Sequence, residues 1–253
     1  MAGEAYDRFM GRYSRLLSPQ LADLAGVTDS QRVLDVGCGP GALTGELVRR
    51  VGADHVAAVD PSAPFVASIR ERFPGVSVVH ASADEIPFRD DEFDVALAQL
   101  VVHFMPDPVA GLREMARTTR PGGVVAACVW DHAGEHGPLS LFWRVVRELD
   151  GEAVDESRLP GARRGHLVEL FETAGLGEVT GSVLAADLEH PSFEAWWEPF
   201  TEGVGPAGAY VASLDERSRA RLRDQCRERI GSGPFIVPAR AWAARGVVRE
   251  SQS

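Results

Sequence analysis

Short apolar runs, punctuated by glycine and separated by amphipathic stretches, set the rhythm of residues 33–130. Val33–Val36, His55–Val59, Val76–Val79, Asp94–Ala98 and Val124–Val129 read as strands. Ala42–Val51, Ala63–Phe73 and Pro108–Thr118 carry apolar residues at helical spacing. Strands alternating with helices predict parallel pairing with helices on both faces of a sheet. The apolar character of Val124–Val129, and of Val33–Val36 apart from Asp35, predicts burial from both sides. Before the first strand, Phe9, Tyr13, Leu16, Leu17, Leu21 and Leu24 recur at near-helical spacing within Tyr6–Leu24.

After Trp130 the pattern changes. Asp131–Pro138 is polar, Leu139–Leu149 and His166–Ala174 are helical, and a strand is expected within Glu178–Ala186. Residues 190–234 interrupt the order with Trp196, Trp197, Phe200, Tyr210 and an Arg-rich helix near Ser218–Ile230. A last strand, about Arg240–Val248, is expected to return to the sheet. The fold expected is α/β: a Rossmann-like doubly wound sheet, mostly parallel with an antiparallel last strand, carrying a helical cap insertion. The expected organisation is an N-terminal helical arm over residues 1–30 and a sheet domain over 31–253. Its cap segments fall at about 131–160 and 190–234.

Composition narrows the chemistry. The 253 residues include 26 basic ones, every one arginine. Schiff-base formation on an internal lysine, a P-loop lysine and a lysine general base are therefore excluded. A net charge of −11 without a basic tail argues against nucleic acid as a partner. No apolar run approaches the ~20 residues that span a bilayer, so no integral membrane association is expected. Cys38, Cys128 and Cys226 are scattered and lack metal-ligand spacing, so no metal is expected. With no basic, apolar leader at the start, a cytoplasmic location is expected.

The densest chemical signal is Val33–Gly41, where an apolar strand containing Asp35 breaks into alternating glycines. Gly37, Gly39 and Gly41 predict a sharp turn that a nucleoside-sized ligand approaches closely, where a side chain would fill the space the ligand needs. Taken alone, Gly37–Ala42 also fits a loose dinucleotide fingerprint. Asp60, ending the second strand, is placed to accept hydrogen bonds from both hydroxyls of a ribose. Asp84, after the third strand, is placed to accept one from the exocyclic amine of adenine, with Ile86 or Phe88 over the ring. Phe93–Leu100 and the expected tight turn Arg120–Gly123 are not demanded by a dinucleotide site.

Together these residues resemble the class I S-adenosylmethionine-dependent methyltransferases. Val33–Ala42 is similar to the family's Gly-rich first motif, Val56–Ser62 to its ribose-binding segment and Ala83–Phe88 to its adenine segment. Phe93–Leu100 and Arg120–Val124 are similar to its fourth- and fifth-strand motifs. Within the family the chain looks closest to the small-molecule branch with quinone-biosynthesis, type 11-like enzymes. The resemblance implies S-adenosyl-L-methionine as cofactor. It places Gly37, Cys38 and Gly39 at the methionine portion, Asp60 and Pro61 at the ribose, and Asp84 at adenine with Glu85 beside it. Gln99 would face the methionine portion or sulfonium, Arg12 would pair with the cofactor carboxylate, and Tyr6 or Tyr13 would close over it.

Methyl transfer is an in-line displacement from a positively charged sulfur, so alignment and desolvation can supply much of the rate. If the acceptor must lose a proton, His103 is the leading base, its ordinary pKa near 6.5 suiting the task; Asp131 and His132 come next. The expected acceptor is a small molecule, apolar or aromatic, with Trp143, Trp196, Trp197 and Phe200 as candidate lining. The alternatives are an NAD-type oxidoreductase and a noncatalytic cofactor-binding protein.

Overall fold

The computed structural model describes residues 7–153, 155–203 and 205–250; Tyr6 lies outside them. Nine strands are described: β1 Val33–Val36, β2 Val56–Asp60, β3 Ser77–His80, β4 Phe93–Gln99, β5 Thr119–Trp130, β6 Gly177–Ala185, β7 Leu188–His190, β8 Phe235–Val237 and β9 Arg240–Val247. The helices are α1 Arg12–Ala25, α2 Ala42–Val51, α3 Ala63–Arg72, α4 Pro108–Thr118, α5 Ser140–Leu149, α6 His166–Thr173, α7 Phe193–Trp197, α8 Gly205–Ser213 and α9 Glu216–Ile230. One sheet runs β3-β2-β1-β4-β5-β9-β6, and β7 pairs with β8 in a separate ribbon. The first five strands pair in parallel, and β9 runs antiparallel to β5 and β6. The expected mostly parallel sheet with an antiparallel last strand is what forms.

Strand periodicity divides the sheet into two apolar faces. Val33, Ala58, Val95, Leu97, Ala126, Cys128 and Trp130 pack on one side, together with α1, α2 and the cap. Leu34, Val36, Ala57, Val59, Ala96, Ala98, Ala127 and Val129 pack on the other, with Leu112, Met115, Leu167 and Phe171 of α4 and α6. β1 and β2 are buried along their whole length, as two covered faces require. Asp35, Asp60 and Gln99 share the parity of the first face.

One local expectation is corrected. Arg120–Gly123 is not a tight turn leading into β5 but a bulge inside it. Thr119 pairs with Phe93 and Val124 with Val95, so the intervening residues stand opposite Asp94 alone. Arg120 Nε donates to Asp94 Oδ1 at 2.7 Å, Gly122 takes φ +73°, and a Cβ on Gly123 would sit 2.7 Å from the Asp94 carbonyl oxygen. The glycines are thus required by strand packing. The β7–β8 ribbon was not expected from the pattern; its strands span Leu188–His190 and Phe235–Val237, too short to show alternation.

α1 buries Tyr13, Leu17 and Leu21 against the sheet and ends at Gly26 in the left-handed conformation. It is tied down by Gln99 Nε2, which donates to Ser14 O at 3.1 Å, and by Arg50, which donates to Pro19 O at 3.0 Å.

Candidate functional site

In a sheet of this order the direction of winding reverses between β1 and β4, and the crevice beyond their carboxyl ends receives the ligand. The Gly-rich loop lies there. Gly37 N–H donates to Val59 O at 2.8 Å and Cys38 N–H to the same oxygen at 3.1 Å, which turns the chain back over β2. The three glycines take positive φ, but they serve different ends. A Cβ on Gly37 would meet Val101 Cγ2 at 2.4 Å, and one on Gly41 would meet Ile69 Cδ1 and Phe73 Cε2 below 3 Å. Those two glycines therefore make room for the protein's own packing, which corrects the expectation that they leave space for a ligand. Gly39 alone faces open space.

Two carboxylates lie close enough to the loop to act on Cys38 electrostatically. Asp60 Oδ2 accepts from Gly39 N–H and Oδ1 from Ser62 N–H, both at 2.8 Å. It thereby holds the loop and starts the turn into α3, and burial raises its pKa. Asp35, absent from the residues picked out by sequence, lies beneath the loop and is 1% exposed. Its Oδ2 accepts from Thr44 Oγ1 at 2.6 Å, while Oδ1 is buried without a partner. Desolvation, opposed by the Thr44 bond, pushes its pKa up to about 7. An acid in a strand buried on both faces was the available signal. Gln99 adds a second orphan: its Oε1 is also buried without a partner.

The other expected residues are distributed as follows. Pro61 follows Asp60, and its carbonyl oxygen lies 2.8 Å from His80 Nε2. Asp84 and Glu85 are exposed on the turn after β3, beside buried Ile86. Cys38 is buried, and desolvation raises its thiol pKa, so it has no nucleophilic character. Arg12 donates to the Glu189 carbonyl at 3.0 Å on β7, and the Tyr13 hydroxyl lies 2.9 Å from His190 Nε2. Both therefore engage the β7–β8 ribbon.

Beside this crevice is a cavity of about 140 Å³. Phe9, Met10, Leu100, Trp130, Leu139 and Ala207 form its apolar wall, with half-exposed Phe104 at its rim. His103, His132 and Glu156 form its polar side. The aromatic residues expected to line it do not. Phe142 stacks on Phe200 with centroids 4.6 Å apart, Trp196 and Phe9 each pack 4.9 Å from Phe200, and Trp197 stacks on Phe193. These rings satisfy one another in a core of their own. Trp143 sits behind the cavity, its Nε1 donating to Glu156 Oε2 at 2.9 Å.

His103 does face the cavity, but its titration differs from expectation. Burial and neighbouring His132 push its pKa down to about 3, so the ring is neutral and weakly basic. Burial likewise brings His132 to about 4 against the opposing pull of Asp155 and Asp131. Glu156 is raised by burial. Sequence reasoning missed Glu156 because it sits among the acids of a polar stretch.

A doubly wound sheet with this strand order, a Gly-rich turn at its switch point and an acid ending β2 defines a nucleoside-cofactor fold. A family model described as a methyltransferase domain matches residues 34–127. Malonyl-[acyl-carrier protein] O-methyltransferase of Erwinia billingiae is 32% identical over 175 residues, covering 57% of this chain and 68% of that relative. An uncharacterized methyltransferase of Mycobacterium tuberculosis is 36% identical over 169 residues, or 67% of this chain, and the match spans only 63% of that relative's length. Among solved structures, phosphoethanolamine N-methyltransferase 2 of Haemonchus contortus, determined with S-adenosylhomocysteine, aligns with 99% of this chain and 60% of its own. The TM-score is 0.58 at 15% identity. The YcgJ protein of Bacillus subtilis aligns with 92% of this chain and 98% of its own at TM-score 0.58 and 16% identity. These two show likeness of fold. The chain belongs to the class I S-adenosylmethionine-dependent methyltransferases.

Proposed function

We propose that the protein transfers a methyl group from S-adenosyl-L-methionine to a compact, largely apolar small molecule. The observation that carries this reading is the open position at Gly39, whose N–H is held by Asp60, together with the orphaned buried oxygens of Asp35 and Gln99, at a sheet edge where Leu100, next after Gln99, lines an apolar cavity. The bound cofactor supplies an electrophilic methyl on a sulfonium. Gly37, Cys38 and Gly39 bound its methionine portion, with Asp35 and Gln99 offering buried oxygens to an ammonium. Asp60, with Pro61, receives the ribose hydroxyls, and Asp84 beside Glu85 receives the adenine amine. Arg12, committed to Glu189, is left out of this set. Residues 131–160 and 190–234 act as a cap around the acceptor. No arginine lines the cavity among the described residues, which disfavours an anionic acceptor. The net charge of −11 disfavours nucleic acid and suits a cytoplasmic small-molecule enzyme.

Calorimetry with S-adenosylhomocysteine and with NAD tests the reading. Micromolar binding of the first, about −8 kcal/mol, and none of the second is expected; the reverse would establish the oxidoreductase alternative. Asp60→Ala is expected to weaken S-adenosylhomocysteine binding by about 1–3 kcal/mol, the scale for losing hydrogen bonds to a charged group. An unchanged affinity removes Asp60 from the site.

A further inference from the structure

We propose that the acceptor is a single-ring hydroxyl compound, a phenol or cyclic enol, methylated on oxygen, with its hydroxyl seated between His132 and Glu156. This rests on the methyl-transfer reading above and names its substrate class. Three observations carry it. His132 Nε2 and Glu156 Oε1 lie 3.9 Å apart, too far for a hydrogen bond to each other. That spacing lets one oxygen lie about 2.8 Å from both. His132 Nε2 and His103 Nδ1 are buried without partners, and both side chains line the same cavity. Buried polar atoms left unpaired are costly, and a ligand that supplies the missing bond recovers that cost.

The rest of the wall decides the body of the acceptor. Trp130, Leu139 and Leu100 offer apolar surface, and the cavity is smaller than the roughly 300–1,000 Å³ of drug-sized sites. That suits one ring with small substituents. Burial keeps both histidines neutral and works against ionised Glu156, so a neutral hydroxyl enters more readily than an ammonium or a carboxylate.

Of the two histidines, His132 is the better proton acceptor. Asp155 and Asp131 favour its charged form. His103 has His132 as its charged-state neighbour, which opposes protonation. Arg147 pairs with Asp155 and Glu135 behind this cluster, and His136 pairs with Asp131. In the transfer, the acceptor oxygen forms a bond to the methyl carbon, and the sulfur keeps the electron pair of the broken S–C bond. The hydroxyl proton passes to His132 Nε2. His132 is then a catalytic residue and Glu156 a positioning residue.

The probes are 4-methylphenol and its amine counterpart 4-methylaniline. Their binding to the S-adenosylhomocysteine complex is followed by tryptophan fluorescence, and their methylation with labelled cofactor. Saturable binding of 4-methylphenol and formation of its methyl ether are expected. Glu156→Gln keeps an acceptor for Trp143; it should lower kcat for the phenol at least tenfold, change KM less than threefold, and leave S-adenosylhomocysteine affinity within twofold. His132→Asn should lower the same kcat further. Preferred methylation of the aniline overturns the assignment, as does failure to bind the phenol or an unchanged kcat in Glu156→Gln. If S-adenosylhomocysteine itself fails to bind the native protein, the methyl-transfer reading fails instead.

Discussion

Phe142→Ala is expected to destabilise the protein by about 3–5 kcal/mol, the range for removing a fully buried phenylalanine. The ring has no exposed surface. It stacks on Phe200 at an interplanar angle of 14° and meets Trp143 and Tyr210 edge-on. Phe142 comes from α5 and Phe200 from the turn after α7, while Phe9, which packs on Phe200, precedes α1. The Phe200 ring therefore joins segments far apart in sequence, and Phe142 covers one of its faces while also meeting Tyr210 of α8. Urea unfolding followed by circular dichroism measures the loss. A change below about 1 kcal/mol would show that the cap is not held by its aromatic core.

Asp35→Asn is expected to act in the opposite direction. The carboxyl titrates near 7 in the folded protein, against an ordinary value near 3.8. The native state therefore keeps a proton that the unfolded chain has lost, and stability from this group falls as pH rises from about 4 to about 7. Asparagine removes that slope while keeping an oxygen for the Thr44 hydroxyl. The variant should be more stable than the native protein by roughly 2–4 kcal/mol at pH 8, with the difference closing toward pH 4. His103, His132 and His190 contribute slopes of opposite sign, because burial lowers their pKa values. Those slopes are common to both proteins and cancel in the comparison. A pH-independent difference would show that Asp35 titrates normally. Weaker S-adenosylhomocysteine binding in the stabilised variant would mark Asp35 as a residue held at a cost for the ligand.

The sheet was legible because its signals are local. Val33–Val36, apolar but for Asp35, runs into Gly37, Val124–Val129 follows Gly123, and Asp107 caps α4 where Pro108 starts it, through bonds to Val109 and Ala110 N–H. The Gly-loop and Asp60 were legible for the same reason. The acceptor side was not. Glu156 is buried because Trp143, on another element, donates to it, and nothing near Glu156 in sequence announces that contact. Trp196 and Phe200 read as pocket residues until Phe142 and Phe9 are seen to occupy their faces. The expected basicity of His103 failed for a related reason. Its pKa is set by enclosure and by His132, on a different strand end, and neither is visible from Gln99–Phe104.

The two-faced parity of the strands has a consequence for how such a chain can be altered over generations. Asp35, Asp60 and Gln99 reach the crevice only because each sits an even number of residues from its apolar partners on the same face. Losing a single codon within β1 would turn Asp35 toward the side occupied by Leu34 and Val36, stranding an acid among methyl groups. Insertions and deletions are therefore expected to be tolerated in the connections and not in the strands. The longest of those connections carry Glu156 and Ala207, which line the cavity proposed for the acceptor. The strands that lead to the Gly-loop are thus bound to a fixed reading frame, and the connections that line the cavity are where a chain of this fold has room to diverge.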